Sequence, residues 1–262
     1  MNFKNPLIYL IVALALFIPL YYSFGEVSEK GNSFTEGQKK EIEKIVHDYF
    51  INNPEAFREV LQAFQQKSQE EMLGQVKTAI AANAQLFTKG NAPVIGNPDG
   101  DLVLVEFLDY NCSHCKSMEP IIEKLIEENP SMRVVIRPYP IFGDDSFFVA
   151  QLALAADMQG KFATLHEALL ESPDKLNEET VYQIAKEKGL DVERLKEDIK
   201  SEEVIERISE SMDLGAKLSI RGTPYFIIMD ESPSSDEGVE ILPGATTQEH
   251  LQQKIDKVKS SR

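Results

Sequence analysis

The feature that most restricts the fold is the junction spanning residues 102–126. Leu102-Val103-Leu104-Val105-Glu106-Phe107-Leu108 is an apolar run broken by one acid, the pattern of a strand buried on both faces. Cys112-Ser113-His114-Cys115 follows at once, and Met118, Ile121, Ile122, Leu125 and Ile126 then recur at helical spacing. A buried strand that runs through a cysteine pair into an amphipathic helix calls for a sheet with helical cover. It also puts both sulfurs at the first turn of the helix.

Cys112 and Cys115 are the only cysteines in the 262 residues. A bridge between them closes too short a loop to stabilise a domain by chain entropy, so the pair reads as reactive. At a helix start, unpaired N–H groups and the helix dipole stabilise an anion, which makes Cys112 the candidate nucleophile. Cys115, one turn on and deeper, is the candidate resolving thiol that attacks a mixed disulfide formed at Cys112. His114 offers an imidazole that can donate to the thiolate; the plainer reading is an exposed histidine without a role. Glu106 also has two readings. A buried carboxyl of raised pKa can carry the proton of Cys115, whereas an edge position would face water.

Lys4 precedes an apolar stretch from Pro6 to Leu20, and the chain turns polar and acidic from Glu26. Residues 1–25 read as a signal peptide or a membrane anchor, with a buried N-terminal helix as the third possibility. The stretch is shorter than the roughly 20 residues of a usual span, and no Ala-x-Ala site follows it. Signal and anchor both imply export.

Residues 35–90 read as a helical module. Thr35 and Gln38 have capping-box spacing ahead of Ile42, Ile45, Val46, Tyr49 and Phe50. Asn53-Pro54 ends that helix and opens one with Phe57, Val60, Leu61 and Phe64, either followed by or continuous with a stretch bearing Met72, Val76, Ile80 and Ala84. So small a helical unit either packs on the next domain or dimerises. Gly90-Asn91-Ala92-Pro93 and Gly96-Asn97-Pro98-Asp99-Gly100 are each rich in turn formers, and residues 94–262 form the second domain. In it a strand over Met132–Ile136 precedes a helical insertion at about 144–215, with core positions such as Phe147, Phe148 and Leu152. A hairpin of Tyr225–Met229 and Val239–Leu242 and a helix carrying Leu251, Ile255 and Val258 close the chain.

A net charge of -16 opposes attraction to nucleic acid or anionic lipid. A zinc site would need four ligands, and His47, His166 and His250 have no spacing that completes Cys112 and Cys115. No cofactor and no metal is expected.

Val105-Glu106-Phe107, Cys112-Ser113-His114-Cys115-Lys116 and Arg221-Gly222-Thr223-Pro224-Tyr225-Phe226 together resemble the DsbA-like thiol–disulfide oxidoreductases of bacterial envelopes, over roughly Val94 to Val258. The resemblance implies an α/β fold, a thioredoxin-like mixed sheet with an inserted helical domain, here preceded by an all-helical extension. It implies a cis Thr223–Pro224 bond, substrate contact at Thr223, Pro224 and Ser113, and Glu106 as the family's buried acid. Lys161-Phe162 and Leu165-His166 resemble a recurring piece of the inserted domain, where packing is expected. Asn52-Asn53-Pro54-Glu55 and the segment 62–67 are similar to the dimerising extension of Com1-like and Legionella-type DsbA2 proteins, which implies a homodimer through residues 35–90. Ser113 stands where the strongest oxidases carry proline, and Thr223 where they often carry valine; threonine there resembles the isomerase side of the superfamily.

The implied activity is oxidation of dithiols in exported proteins, with isomerisation of wrong disulfides beside it. A reductase or isomerase alone, or a surface binding protein with an idle disulfide, stays open. A glutathione-using transferase or a peroxide reductase fits less well, because neither needs a resolving cysteine one turn away. The implied partners are unfolded or misfolded exported proteins and a DsbB-like or DsbD-like membrane protein. The implied place is the periplasm of a Gram-negative bacterium, with retention at the membrane by residues 6–22 as the variant.

Overall fold

The structure, a computed structural model, describes residues 34–88 and 91–261. The signal or anchor expected in residues 1–25 lies outside the described residues. Among the described residues no helix is long and apolar enough to cross a membrane.

The described residues form two compact units, one ending at Gln66 and one beginning at Lys67. In the first, helix α1 (Glu36–Asn52) opens on a capping box: the N–H of Gln38 donates to Thr35 Oγ1 at 3.3 Å, and the N–H of Thr35 donates to Gln38 Oε1 at 2.9 Å. Pro54 starts helix α2 (Pro54–Ala82), where the missing N–H costs nothing. The ring of Phe50 meets Tyr49 and Phe57 edge-on, each at 5.7 Å. No residue of α1 is buried, and Ile45 and Phe64 are 62% and 70% exposed.

Helix α2 contains the division between the two units, at Gln66 and Lys67. Its last turns belong to the second unit, with Ile80 fully buried and Lys77 Nζ 2.8 Å from Glu240 Oε1. A single turn, α3 (Gln85–Thr88), adds the buried Phe87.

Five strands make one mixed sheet in the order β1-β3-β2-β4-β5, where β1 is Val94–Gly96, β2 Leu102–Leu108, β3 Met132–Pro138, β4 Tyr225–Asp230 and β5 Val239–Pro243. Strand β2 is central, parallel to β3 and antiparallel to β4, and Glu106 lies between Ile136 and Phe226. Helix α4 (Ser113–Glu128) makes the crossover from β2 to β3. The insertion holds α5 (Asp144–Asp157), α6 (Phe162–Glu171), α7 (Glu178–Glu187), α8 (Val192–Asp198) and α9 (Glu202–Lys217), and α10 (Gln248–Ser260) ends the fold.

Side chains alternate across a strand, and both faces of this sheet are covered. Leu102, Leu104 and Leu108 join the core that contains Cys112, Cys115, Ile122 and Leu251. Val103, Val105 and Phe107 join the other, with Ile80, Phe87 and Leu214. Burial on both sides is why β2 reads as a run instead of an alternation. By the same parity Glu106 points to the cysteine side, and at 2% exposure the water-facing alternative falls. Two expectations change. Strand β1, which lies between two turn-rich clusters and was not read as a strand, is ordered by pairing with β3. Phe147, expected in the core, is 41% exposed on the outer face of α5.

Candidate functional site

The central strand ends where the site begins. After Leu108 the chain turns, the N–H of Cys112 donating to the carbonyl of Asp109 at 2.9 Å, and α4 starts at Ser113 with Cys112 as its N-cap in extended conformation. Asp109, 1% exposed, holds this turn. Its Oδ1 accepts from the N–H of Asn111 and from Ser146 Oγ, both at 2.8 Å, and its Oδ2 accepts from the N–H groups of Ile141 at 2.8 Å and Phe142 at 3.2 Å. Asn111 exchanges hydrogen bonds with the backbone of Leu176, and Lys116 Nζ donates to the carbonyls of Ser172 and Asp174. The insertion therefore grips the cysteine loop at several points.

The structure brings together residues more than a hundred positions apart. The Thr223–Pro224 bond is cis, and the Cys112 thiol donates to the Thr223 carbonyl at 3.3 Å. Both cysteines are free thiols and buried. The Cys112 pKa is lowered to about 5. A hydrogen bond from the Cys115 thiol is the largest cause, partly opposed by burial and aided by Thr223 and by the backbone of Cys115 and His114. The Thr223 hydroxyl is buried without a hydrogen-bond partner. Cys115 is pushed the other way, well above an ordinary thiol, because it donates to Cys112 and is buried near Glu106. The two sulfurs are thus split into an anion and an acid, the division of roles that an attacking and a resolving thiol require.

Glu106 is raised well above the usual carboxyl range, by burial first, then by Glu119 and Cys112. His114 and Ser113 are exposed. The backbone N–H of His114 is among the groups that lower the Cys112 pKa.

His166, expected only to pack, does stack on Phe162 at 5.1 Å, but it also shares a 2.9 Å hydrogen bond through Nδ1 with the hydroxyl of Tyr110. Its Nε2 lies 3.6 Å from Glu119 Oε2. Asp109, Tyr110, Asn111 and Glu119 were not singled out by sequence reasoning. Glu119 was findable, since it sits four residues after Cys115 on the buried face of α4. Apart from the hydrogen bond that the N–H of Asn111 gives Asp109, the partners of these two side chains lie 32 to 65 positions away and leave no local signal. Among the described residues no group of three or more His, Cys, Asp and Glu side chains is placed to hold a metal ion.

Comparison with known proteins is consistent with this geometry. A DSBA-like thioredoxin domain is matched over residues 103–256, and the copper resistance protein ScsC N-terminal domain over residues 38–71. A thioredoxin-like oxidoreductase from Silicibacter pomeroyi is 41% identical, covering 67% of this chain and 96% of its own, with a TM-score of 0.62. The thiol-disulfide exchange protein alpha-DsbA2 from Wolbachia pipientis is 28% identical over 71% of this chain and 97% of its own, with a TM-score of 0.63. ScsC from Proteus mirabilis, in a transitional conformation, is 29% identical over 88% of this chain and all of its own, with a TM-score of 0.60. Among curated relatives, a probable disulfide bond formation protein D of Bacillus anthracis is 27% identical over 153 residues, 70% of its length. The Na(+)/H(+) antiporter NhaA 3 of Salinispora tropica is 28% identical over 154 residues, and the chain spans only 24% of that protein.

Proposed function

The chain belongs to the family of DSBA-like thioredoxin-domain thiol–disulfide oxidoreductases, and from that membership we propose that it oxidises dithiols in exported proteins and, as a homodimer, also rearranges wrong disulfides. The observation that carries this reading is the split of the two thiols against the cis Thr223–Pro224 turn, with Cys112 lowered to about 5 and Cys115 raised. A substrate disulfide is attacked by the Cys112 thiolate; in the oxidising direction a substrate thiolate attacks the Cys112–Cys115 disulfide at Cys112 and is released when its own second thiol closes on it. Glu106 is the proposed acceptor of the Cys115 proton. Thr223, Pro224 and Ser113 are the proposed substrate contacts, and His114 is proposed to tune the thiolate from the rim.

Stabilising the thiolate favours the reduced form and so makes the disulfide an oxidant. An oxidant in service is kept oxidised by a membrane partner, here proposed to be DsbB-like. Trapping the thiols in intact cells with an alkylating mass tag is therefore expected to find Cys112 and Cys115 mostly as the disulfide. A mostly reduced pool would point to an isomerase or reductase served by a DsbD-like partner. Export to the periplasm is supported by the apolar stretch between Pro6 and Leu20.

The homodimer is supported by the first unit, which buries nothing of α1 and exposes Ile45, Tyr49, Val60 and Phe64. The full chain is expected to run in light scattering at the mass of two copies. The charged double variant Ile45→Glu/Phe64→Glu is expected to run at one; an unchanged mass would remove this face as the interface.

A further inference from the structure

Tyr139 belongs to neither motif of the site, yet it touches the backbone that leads to each. It directly follows β3, and its N–H donates at 2.7 Å to the carbonyl of Leu108, the last residue of β2 before the chain turns into the cysteine pair. Its hydroxyl donates at 3.2 Å to the carbonyl of Ile220, just upstream of Thr223. The side chain is buried in the core on the face of the sheet away from the sulfurs.

The surroundings fit that ring closely. Phe107 of β2 meets it edge-on at 6.0 Å. On the other side lies Gly215 of α9, a residue that a helix interior disfavours, and a Cβ there would run into the Tyr139 ring. Helix α9 then ends in a Schellman arrangement, the N–H of Ile220 donating to the Gly215 carbonyl and the N–H of Ser219 to that of Ala216, both at 2.9 Å. Ser219 takes the left-handed conformation of such an ending, with φ at 56°. Ile220 is thus held at both its backbone groups, the N–H by α9 and the carbonyl by Tyr139. Only Arg221 and Gly222 separate it from Thr223. Beyond the turn, the Pro224 carbonyl accepts from the N–H of Gly244 at 2.8 Å, so the turn is anchored on both sides and Tyr139 supplies the near anchor.

We infer that Tyr139 is a positioning residue of the exchange reaction, its hydroxyl on the Ile220 carbonyl setting where the Thr223–Pro224 turn stands against the Cys112 sulfur. This deepens the exchange reading above and rests on Cys112 as the attacking thiol and Thr223 as a substrate contact. Tyr139 touches no reacting atom. Its effect passes through the 3.3 Å bond from the Cys112 thiol to the Thr223 carbonyl, which a shift of the turn by about an ångström would break. The Thr223 side chain is also among the groups that lower the Cys112 pKa, so the same shift makes the thiol less acidic.

The test compares the full-length parent with Tyr139→Phe, which removes only the hydroxyl. Thiolate absorbance of the reduced proteins is expected to show the Cys112 midpoint raised by about half a pH unit or more. In oxidation of a peptide carrying two cysteines at pH 7, KM is expected to rise about fivefold, the scale of one hydrogen bond, with kcat kept within about twofold. Dithiothreitol has no peptide backbone to lie along the turn, and its oxidation should stay within about twofold of the parent rate. In a Thr223→Val background, Tyr139→Phe is expected to add little to either effect, because both changes act through one turn. Parent midpoint and parent KM in Tyr139→Phe, while Thr223→Val shifts both, overturn the inference and leave the site reading standing. So does a loss that falls equally on peptide and dithiothreitol and adds in full to that of Thr223→Val, the mark of a general loosening. If Thr223→Val changes neither measurement, or Cys112→Ala still oxidises the peptide, the reading of the site fails and the inference with it.

Discussion

Replacing Cys115 with alanine is expected to cut turnover by on the order of a thousandfold, the scale of losing a reacting group, while leaving a protein that accumulates covalent adducts through Cys112. Cys115 sits one turn from Cys112 and is an intramolecular attacker of high effective concentration. Without it a mixed disulfide waits for an external thiol. Cys112→Ala, by contrast, should abolish both exchange and adducts. A finer consequence follows from the cause of the low Cys112 pKa. The leading contribution is the hydrogen bond from Cys115 itself. In Cys115→Ala the Cys112 pKa should therefore rise from about 5, and adduct formation should shift to higher pH. Non-reducing gels of cell extracts, and the pH dependence of thiolate absorbance, read the two effects. Adducts formed by Cys112→Ala and not by Cys115→Ala would reverse the assignment of attacker and resolver.

The reduced protein is expected to be more stable than its Cys112→Ser variant at neutral pH, by an amount that grows with pH. In the unfolded chain Cys112 titrates near the ordinary value of 9.0, and in the folded protein near 5. Between these values the unfolded state binds a proton that the folded state does not, so stability rises by about 1.4 kcal/mol per pH unit. The contribution is fully present above the unfolded pKa and is lost as pH falls through 5. At pH 7 it is about 2–3 kcal/mol. Glu106 acts in the opposite sense, because its raised pKa makes the folded state hold a proton the unfolded state has released. The comparison between parent and variant cancels most of that contribution. Urea midpoints of both proteins in reductant from pH 4 to 8 measure the gap; a constant gap would mean that Cys112 stays a thiol. Thr223→Val should narrow it, since the Thr223 side chain helps hold the thiolate.

Much of this was legible in order along the chain. The run from Leu102 to Leu108 and the cysteine pair one turn into a helix depend only on periodicity and spacing. So do the hairpin around Asp230–Gly238 and the Thr35 capping box, and the structure shows each of them. Local rules carry such features because neighbours in sequence are neighbours in space. Strand β1 was not legible, because three residues among turn formers become a strand only when β3 lies beside them. Nor was the hold of Asp109 on Ile141, Phe142 and Ser146.

At Cys112 and Cys115 the division is sharpest. Sequence by itself determined that the two sulfurs share one face of a helix start, and so that one could be an attacker and the other its resolver. Only the tertiary structure decided how far apart their acidities lie. Those depend on the Thr223–Pro224 turn folding back onto Cys112, on Glu106 being turned inward by the pleat, and on both faces of the sheet being covered. A pKa is set by burial and by groups within a few ångströms, and distance in space is what the order of residues does not contain.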